Sequence, residues 1–209
     1  MEKILVVGAN GTTGKKIVNL LDKSHEFKPV AMVRKEEQVE QFKKDKVTTV
    51  LGDLEKDVSH TTNDIDRVIF AAGSGGKKVV EVDREGAKKM VDVSKENGIE
   101  KFIMLSSIGA DHPEESEELQ EYLEAKHNAD EYLKNSDLTY TIVRPVSLTD
   151  NEGTGKIKAS NSVDKSGSIT RDDVAEALVA TLPDDVAKNK TFEIIEGDSS
   201  IQKAVESMS

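Results

Sequence analysis

Gly8-Ala9-Asn10-Gly11-Thr12-Thr13-Gly14 sets three glycines at intervals of three. With 14 glycines among 209 residues, chance supplies about 0.06 such patterns in a chain of this size, so the spacing is informative. Glycine permits a tight turn and lets backbone approach a pyrophosphate with no Cβ in the way. A helix opening at that turn presents unpaired N–H groups and the positive end of its dipole to the anion. Gly8, Asn10, Gly11, Thr12, Thr13 and Gly14 are therefore candidate dinucleotide-binding residues. The plain alternative is a tight strand-to-helix turn with no ligand. A second signal lies at Arg34-Lys35. In dinucleotide folds an acid at the end of the second strand takes the ribose 2′-hydroxyl and repels a 2′-phosphate. Two cations there fit the phosphate instead, and arginine can grip it with two hydrogen bonds. This favours NADP over NAD; the alternative is a solvated surface pair. Tyr122-Leu123-Glu124-Ala125-Lys126 is a third feature. On a helix this spacing puts Tyr122 and Lys126 on one face.

The elements around these residues alternate. Lys3–Val7, Lys28–Val33, Thr48–Leu51, Arg67–Ala72, Lys101–Leu105 and Tyr140–Arg144 are short apolar runs of strand length. Between them, Lys15–Leu21, Val79–Asn97 and Leu119–Asn135 carry helical spacing, and Gly98 stops the second of these. Thr170–Asp173 resembles a capping box opening a helix over Val174–Leu182, followed by a strand at Thr191–Ile195 and a helix at Ile201–Met208. Strands alternating with helices require crossovers and a parallel sheet covered on both faces. The pattern predicts an α/β fold: a doubly wound, Rossmann-type sheet in three layers, as one domain over 1–209. The residues after Pro145 suffice for a small C-terminal cap over the cleft.

Composition removes other classes. There is no cysteine, hence no disulfide framework, thiolate metal site or cysteine nucleophile. The four histidines show no metal-ligand spacing, so no metal is expected. A formal charge of −11 disfavours a nucleic-acid partner. The longest apolar run, Val68–Ala72, is far short of a membrane span, and no secretory leader follows Met1. A soluble, cytoplasmic chain is expected.

With these motifs in place, the sequence resembles the atypical branch of the short-chain dehydrogenase/reductase superfamily from Lys3 to about Glu196. The resemblance implies that Gly52-Asp53-Leu54 contacts the adenine and that Ala71-Ala72-Gly73 lines the adenine ribose. It implies that the backbone of Pro145-Val146 faces the nicotinamide amide, and that Ile169–Ala175 opens a helix common in this branch. It also implies a catalytic set of Ser107, Tyr122 and Lys126. The lysine would lower the tyrosine pKa and hold the nicotinamide ribose, the tyrosine would exchange a proton, and the serine would polarise the substrate oxygen. Where the superfamily carries a catalytic asparagine this chain has Asp83, read here as a helix-surface charge rather than a catalytic group.

Ten acids and two lysines fall between Asp111 and Asp137. If the loop Asp111–Glu118 borders the cleft, it selects against anionic substrates; otherwise it is a solvated helix start. His112 is a solvated loop residue on this reading. The function expected is an NADP-dependent oxidoreductase of a small, neutral molecule. Two alternatives stay open: a non-catalytic redox sensor that reads NADP, and an epimerase or dehydratase.

Overall fold

The apolar run at the N-terminus is buried on two faces at once. In the computed structural model, which describes residues 1–209, Ile4 and Val6 join one hydrophobic cluster and Leu5 and Val7 another. Side chains alternate along a strand, so a continuous apolar run belongs to a strand covered on both sides.

In chain order the strands are β1 (Glu2–Val7), β2 (Phe27–Val33), β3 (Thr48–Leu51), β4 (Arg67–Phe70), β5 (Lys101–Leu105) and β6 (Tyr140–Pro145). They continue with β7 (Ser147–Thr149), β8 (Lys156–Ser160), β9 (Ser168–Thr170), β10 (Lys190–Glu196) and β11 (Ser199–Ser200). The helices are α1 (Thr12–Asp22), α2 (Glu36–Lys44), α3 (Glu85–Glu96), α4 (Gln120–Lys134), α5 (Arg171–Ala180) and α6 (Ile201–Glu206). Nine strands form one sheet in the order β11-β8-β10-β6-β5-β4-β1-β2-β3, and β7 pairs with β9 separately. All neighbours from β10 to β3 are parallel; β8 is antiparallel to β10 and to β11. This is the doubly wound Rossmann-type α/β arrangement.

One face of the sheet is covered by α1, α2, α5 and α6 through residues such as Ile17, Phe42, Leu178 and Val205. The other is covered by α3 and α4 through Met90, Val91, Ala129 and Leu133. Each fully buried large side chain, Ile17 or Met90 for example, contributes about 1.5–3 kcal/mol. Gly98 adopts φ +69° directly after α3, which ends that helix where the sequence predicts. Thr170 caps α5 by accepting the Asp173 N–H at 3.0 Å, but the box is not reciprocal. The Asp173 carboxylate instead accepts the N–H groups of Thr154 and Gly155, at 3.0 and 2.8 Å.

Two expectations change. The segment after Pro145 widens the sheet through β8, β10 and β11 rather than serving mainly as a cap. The Val79–Asn97 helix begins with a wide π-helical turn over Val79–Arg84 before α3. No helix is long and apolar enough to cross a membrane.

Candidate functional site

The glycine turn is dictated by contact distances. Gly8 has φ +87°, and a Cβ on it would lie 2.6 Å from Cα of Ala72. A Cβ on Gly14 would lie 2.1 Å from the carbonyl oxygen of Gly8. Neither approach is possible, so β1, α1 and the end of β4 meet only because these residues lack side chains. The Gly11 N–H donates to Gly8 O at 2.9 Å, and Gly11 stands at the N-terminus of α1 with no side chain capping it. The N–H groups of the first turn of α1, beyond Gly11, are left for a ligand.

A cavity of about 400 Å³ opens beside the turn. Gly8, Asn10, Gly11, Arg34, Gly52, Asp53, Leu54, Ala72 and Gly73 line it. The expected dinucleotide residues are thus brought to one place by four strand ends. Asn10 Oδ1 is buried there without a partner. An orphaned acceptor in a glycine cradle fits a dinucleotide. Gln38, Ser74, Lys77 and Lys78 add polar groups to the wall, and Val7, Met32, Val33 and Val82 its apolar part. Gln38 Oε1 accepts the N–H groups of Arg34 and Lys35, at 2.9 and 3.0 Å, and fixes the turn after β2. Lys35 itself is exposed and outside the lining, so the further cations at this cavity are Lys77 and Lys78.

A second cleft, of about 630 Å³, continues on the other side of the turn. Thr12, Thr13, Ala71, Ala72 and Gly73 line it with Asp83, Ser106, Leu119, Tyr122, Lys126, Leu148 and Arg171. Lys126 is 3% exposed and its Nζ lies 5.7 Å from the Tyr122 ring centroid. That Nζ donates to the Leu105 carbonyl at 3.2 Å and stands 3.9 Å from Asp83 Oδ1. The helical spacing and the strand end therefore bring Tyr122 and Lys126 to one wall.

Behind this wall lies a buried polar network. Ser106 donates to Asp130 Oδ2 at 2.8 Å, and Arg144 Nε donates to the same oxygen at 3.0 Å. Burial pushes the Asp130 carboxyl above its ordinary pKa, although Arg144, Ser106 and Lys126 all pull it down. Its other oxygen has no partner.

Several expected residues sit differently. Asp83 is not a surface charge: it is 1% exposed, placed inward by the π-helical turn. Its Oδ2 accepts the Ser74 N–H at 3.1 Å, and its Oδ1 has no hydrogen-bond partner. A widened turn that re-aims a polar side chain is a common feature of functional sites. Ser106 lines the cleft, whereas the Ser107 hydroxyl donates to the Ile108 carbonyl at 3.2 Å and lies outside the lining. The strand period explains this. Phe102 and Met104 face α3 and α4, so Ser106 shares their side and Ser107 does not. In the backbone of Pro145-Val146 two groups are engaged within the protein: Val146 N–H donates to Ile194 O and Pro145 O accepts the Ile108 N–H. Glu114, Glu115, Glu117 and Glu118 are exposed and line neither cavity, and His112 pairs with Glu114 at 3.2 Å. Ser106 is readable from the strand period; the inward Asp83 follows only from the wider turn, and Lys77 and Lys78 have no local signature.

Comparison with known proteins agrees with this geometry. The family described as NAD(P)H-binding matches residues 8–185. The uncharacterized sugar epimerase YhfK of Bacillus subtilis (strain 168) is 37% identical over 99% of this chain and 100% of its own. A Bacillus halodurans protein named as a candidate NAD-dependent epimerase/dehydratase superposes with a TM-score of 0.93. It is 40% identical over 99% of this chain and 100% of its own. The oxidoreductase ylbE of Lactococcus lactis superposes with a TM-score of 0.88, at 33% identity over 99% and 96% of the two chains. The cradle, the cleft and these relatives have one conclusion: the chain belongs to the NAD(P)H-binding family of Rossmann-type proteins.

Proposed function

We propose that the protein is an NADP-dependent oxidoreductase of the atypical short-chain type, acting on a small uncharged carbonyl or hydroxyl compound. The observation that carries this reading is the single wall formed by Tyr122, Lys126, Ser106 and Asp83 beside the glycine cradle. Gly8, Asn10, Gly11 and the N-terminus of α1 would hold the pyrophosphate, and Arg34 the 2′-phosphate. When bound, the coenzyme supplies or accepts hydride at its nicotinamide ring.

The chain's own groups supply the rest. Tyr122 gives a proton to the substrate oxygen or takes one from it. Lys126 holds its amine beside the tyrosine ring, anchored by the Leu105 carbonyl and by Asp83. The Ser106 proton is committed to Asp130, so its oxygen is free to accept a hydrogen bond from a substrate hydroxyl. Ser106 thus stands at the cleft where Ser107 is expected, but as an acceptor for a substrate hydroxyl rather than as the donor that polarises the substrate oxygen. Charge balance supports an uncharged substrate. Lys126 faces Asp83, and Arg171 is paired with Asp150 at 2.9 Å, which leaves no unmatched cation in the cleft.

The names of the relatives favour a second reading, an epimerase or dehydratase. The tail argues against a nucleotide-sugar substrate, since β8, β10 and β11 are spent on the sheet and only Leu148 and Arg171 reach the cleft. A panel of carbonyl and hydroxyl compounds, followed by NADPH absorbance, tests the proposal. Turnover that falls in Ser106→Ala more than in Ser107→Ala supports the assignment. Tight NADPH binding with no substrate turned over supports a redox sensor instead.

A further inference from the structure

Glu55 stands behind the cations of the coenzyme cavity. Its carboxylate accepts from Lys78 Nζ at 2.6 and 2.7 Å, and Arg34 Nη1 lies 4.0 Å away. The three residues come from different segments: the end of β2, the loop after β3 and the loop after β4. Arg34 and Lys78 line the cavity, whereas Glu55 does not. Both cations are about half exposed, at 54% and 48%, so they can turn toward a ligand, while Glu55 is 28% exposed. The Lys78 loop contains Gly75 and Gly76 at φ +62° and +80°, with open space around both, so that loop has room to move.

We propose that Glu55 sets coenzyme selectivity by competing with the 2′-phosphate for Arg34 and Lys78. This rests on the NADP reading above. In the free protein the carboxylate holds Lys78 over the cavity and draws on Arg34. A 2′-phosphate carries more charge and three acceptor oxygens, and takes both cations over. Glu55 then remains beside a group of its own sign, which weakens the complex. A coenzyme with a free 2′-hydroxyl leaves the Glu55–Lys78 pair intact and meets no such opposition. The carboxylate thus narrows a preference that the cations alone would make wider. Asp53, the acid that does line the cavity, has its carboxylate engaged by the Glu55 N–H at 3.1 Å and lies 4.0 Å from Lys56. It has no cation of the cavity as partner.

The test is titration of NADPH and NADH by fluorescence at fixed ionic strength, on the wild type, Arg34→Ala, Glu55→Gln, Lys78→Gln and the Glu55→Gln/Lys78→Gln double variant. Removing the one like charge at Glu55, beside the half-exposed Arg34 and Lys78, should tighten NADPH about tenfold. The dissociation constant for NADH should stay within about twofold, since a neutral hydroxyl does not respond to that charge. Lys78→Gln should weaken NADPH, and in its background Glu55→Gln should gain less, the signature of coupled neighbours. If Arg34→Ala is selective for NADPH but Glu55→Gln leaves NADPH unchanged or weaker, the competitor role is overturned. If Arg34→Ala weakens both coenzymes equally, the NADP reading itself is overturned.

Discussion

Buried charge gathers at both ends of the central strands, and the two clusters differ in one respect. At the N-terminal ends, Arg67 and Lys101 are 4% and 0% exposed. Arg67 binds Glu2, Glu100, Asp184 and the Leu182 carbonyl, and Lys101 donates to the carbonyls of Pro183 and Val186 at 2.7 Å each. At Arg67 the bonds to Glu2 and Asp184 outweigh the cost of burial and hold its pKa above the ordinary value. At the C-terminal ends, Lys126 and Arg144 face Asp83 and Asp130, all four buried. Here one oxygen of each aspartate has no hydrogen-bond partner, while neither Arg67 nor Lys101 leaves a polar atom unpaired. The satisfied cluster ties the 182–186 segment to the sheet. The unsatisfied one borders a cleft, and an orphaned buried acceptor is stable only where a ligand or water completes it.

The largest expected effect separates the two ends. Tyr122→Phe keeps the ring and removes the hydroxyl. Turnover should fall by about 10²–10⁴, the usual worth of general acid–base help, with NADPH affinity unchanged. Lys126→Ala should lose turnover and weaken coenzyme binding together. Arg67→Met, at the other end, should lower thermal stability and leave both readings alone. Coenzyme titration beside turnover checks all three; turnover surviving Tyr122→Phe within a few-fold would detach the chemistry from this wall.

The next effect belongs to Lys101. Burial and the neighbouring Arg67 push its amine down to about 8 from the ordinary 10.5. Between those values the folded chain binds fewer protons than the unfolded one, so stability should rise as pH rises. Below pH 8 both states are protonated and the cost of burying the charge is constant. The shift corresponds to about 3 kcal/mol across the window. The melting temperature of the wild type should therefore climb relative to Lys101→Met between pH 8 and 10. Parallel curves would mean that the two carbonyls hold the amine charged.

How much of this was legible in the sequence differs between the same two ends. The glycine turn reads directly, because only missing side chains allow the approach of Gly14 to Gly8. Strands β1 to β6 follow from short apolar runs, of which β4 and β5 are buried on both faces throughout; their order in the sheet does not follow from the runs. Arg67 and Lys101 carry no local signal of their partners, since nothing nearby in the chain announces carbonyls more than 80 residues away. β8 escaped notice because Lys156–Ser160 buries only Ile157 and is a strand by virtue of β10. Asp83 was misjudged because an α-helical period was assumed where the chain makes a wider turn. Ser106 and Ser107 were adjacent candidates, and the alternation along β5 separates them.

Coenzyme selectivity should respond less strongly. A charge-assisted hydrogen bond is worth roughly 1.5–3 kcal/mol. Arg34→Ala should therefore weaken NADPH about 10- to 100-fold and scarcely touch NADH. Lys35→Ala should change neither, because that side chain lies outside the cavity wall.

The smallest effect concerns the acidic loop. Its sequence invites the idea of a fence against anionic substrates, and its position argues otherwise. Glu114, Glu115, Glu117 and Glu118 are exposed, and the chain enters the cleft lining only at Leu119. A hydrogen bond from its own backbone N–H, and then the paired His112, hold the Glu114 carboxyl below its ordinary pKa, and Glu115 is paired with Lys165. Their charges face solvent, where physiological salt screens exposed groups over a length of about 8 Å. Replacing all four by glutamine should change the relative rates on neutral and anionic substrates less than about twofold at that salt. The control is Asp150→Asn, which releases Arg171 inside the cleft and should raise the rate on anionic substrates specifically. A strong response to the four glutamines with none to Asp150→Asn would mean that substrates are sorted by the outer loop before they reach the wall of Tyr122 and Lys126.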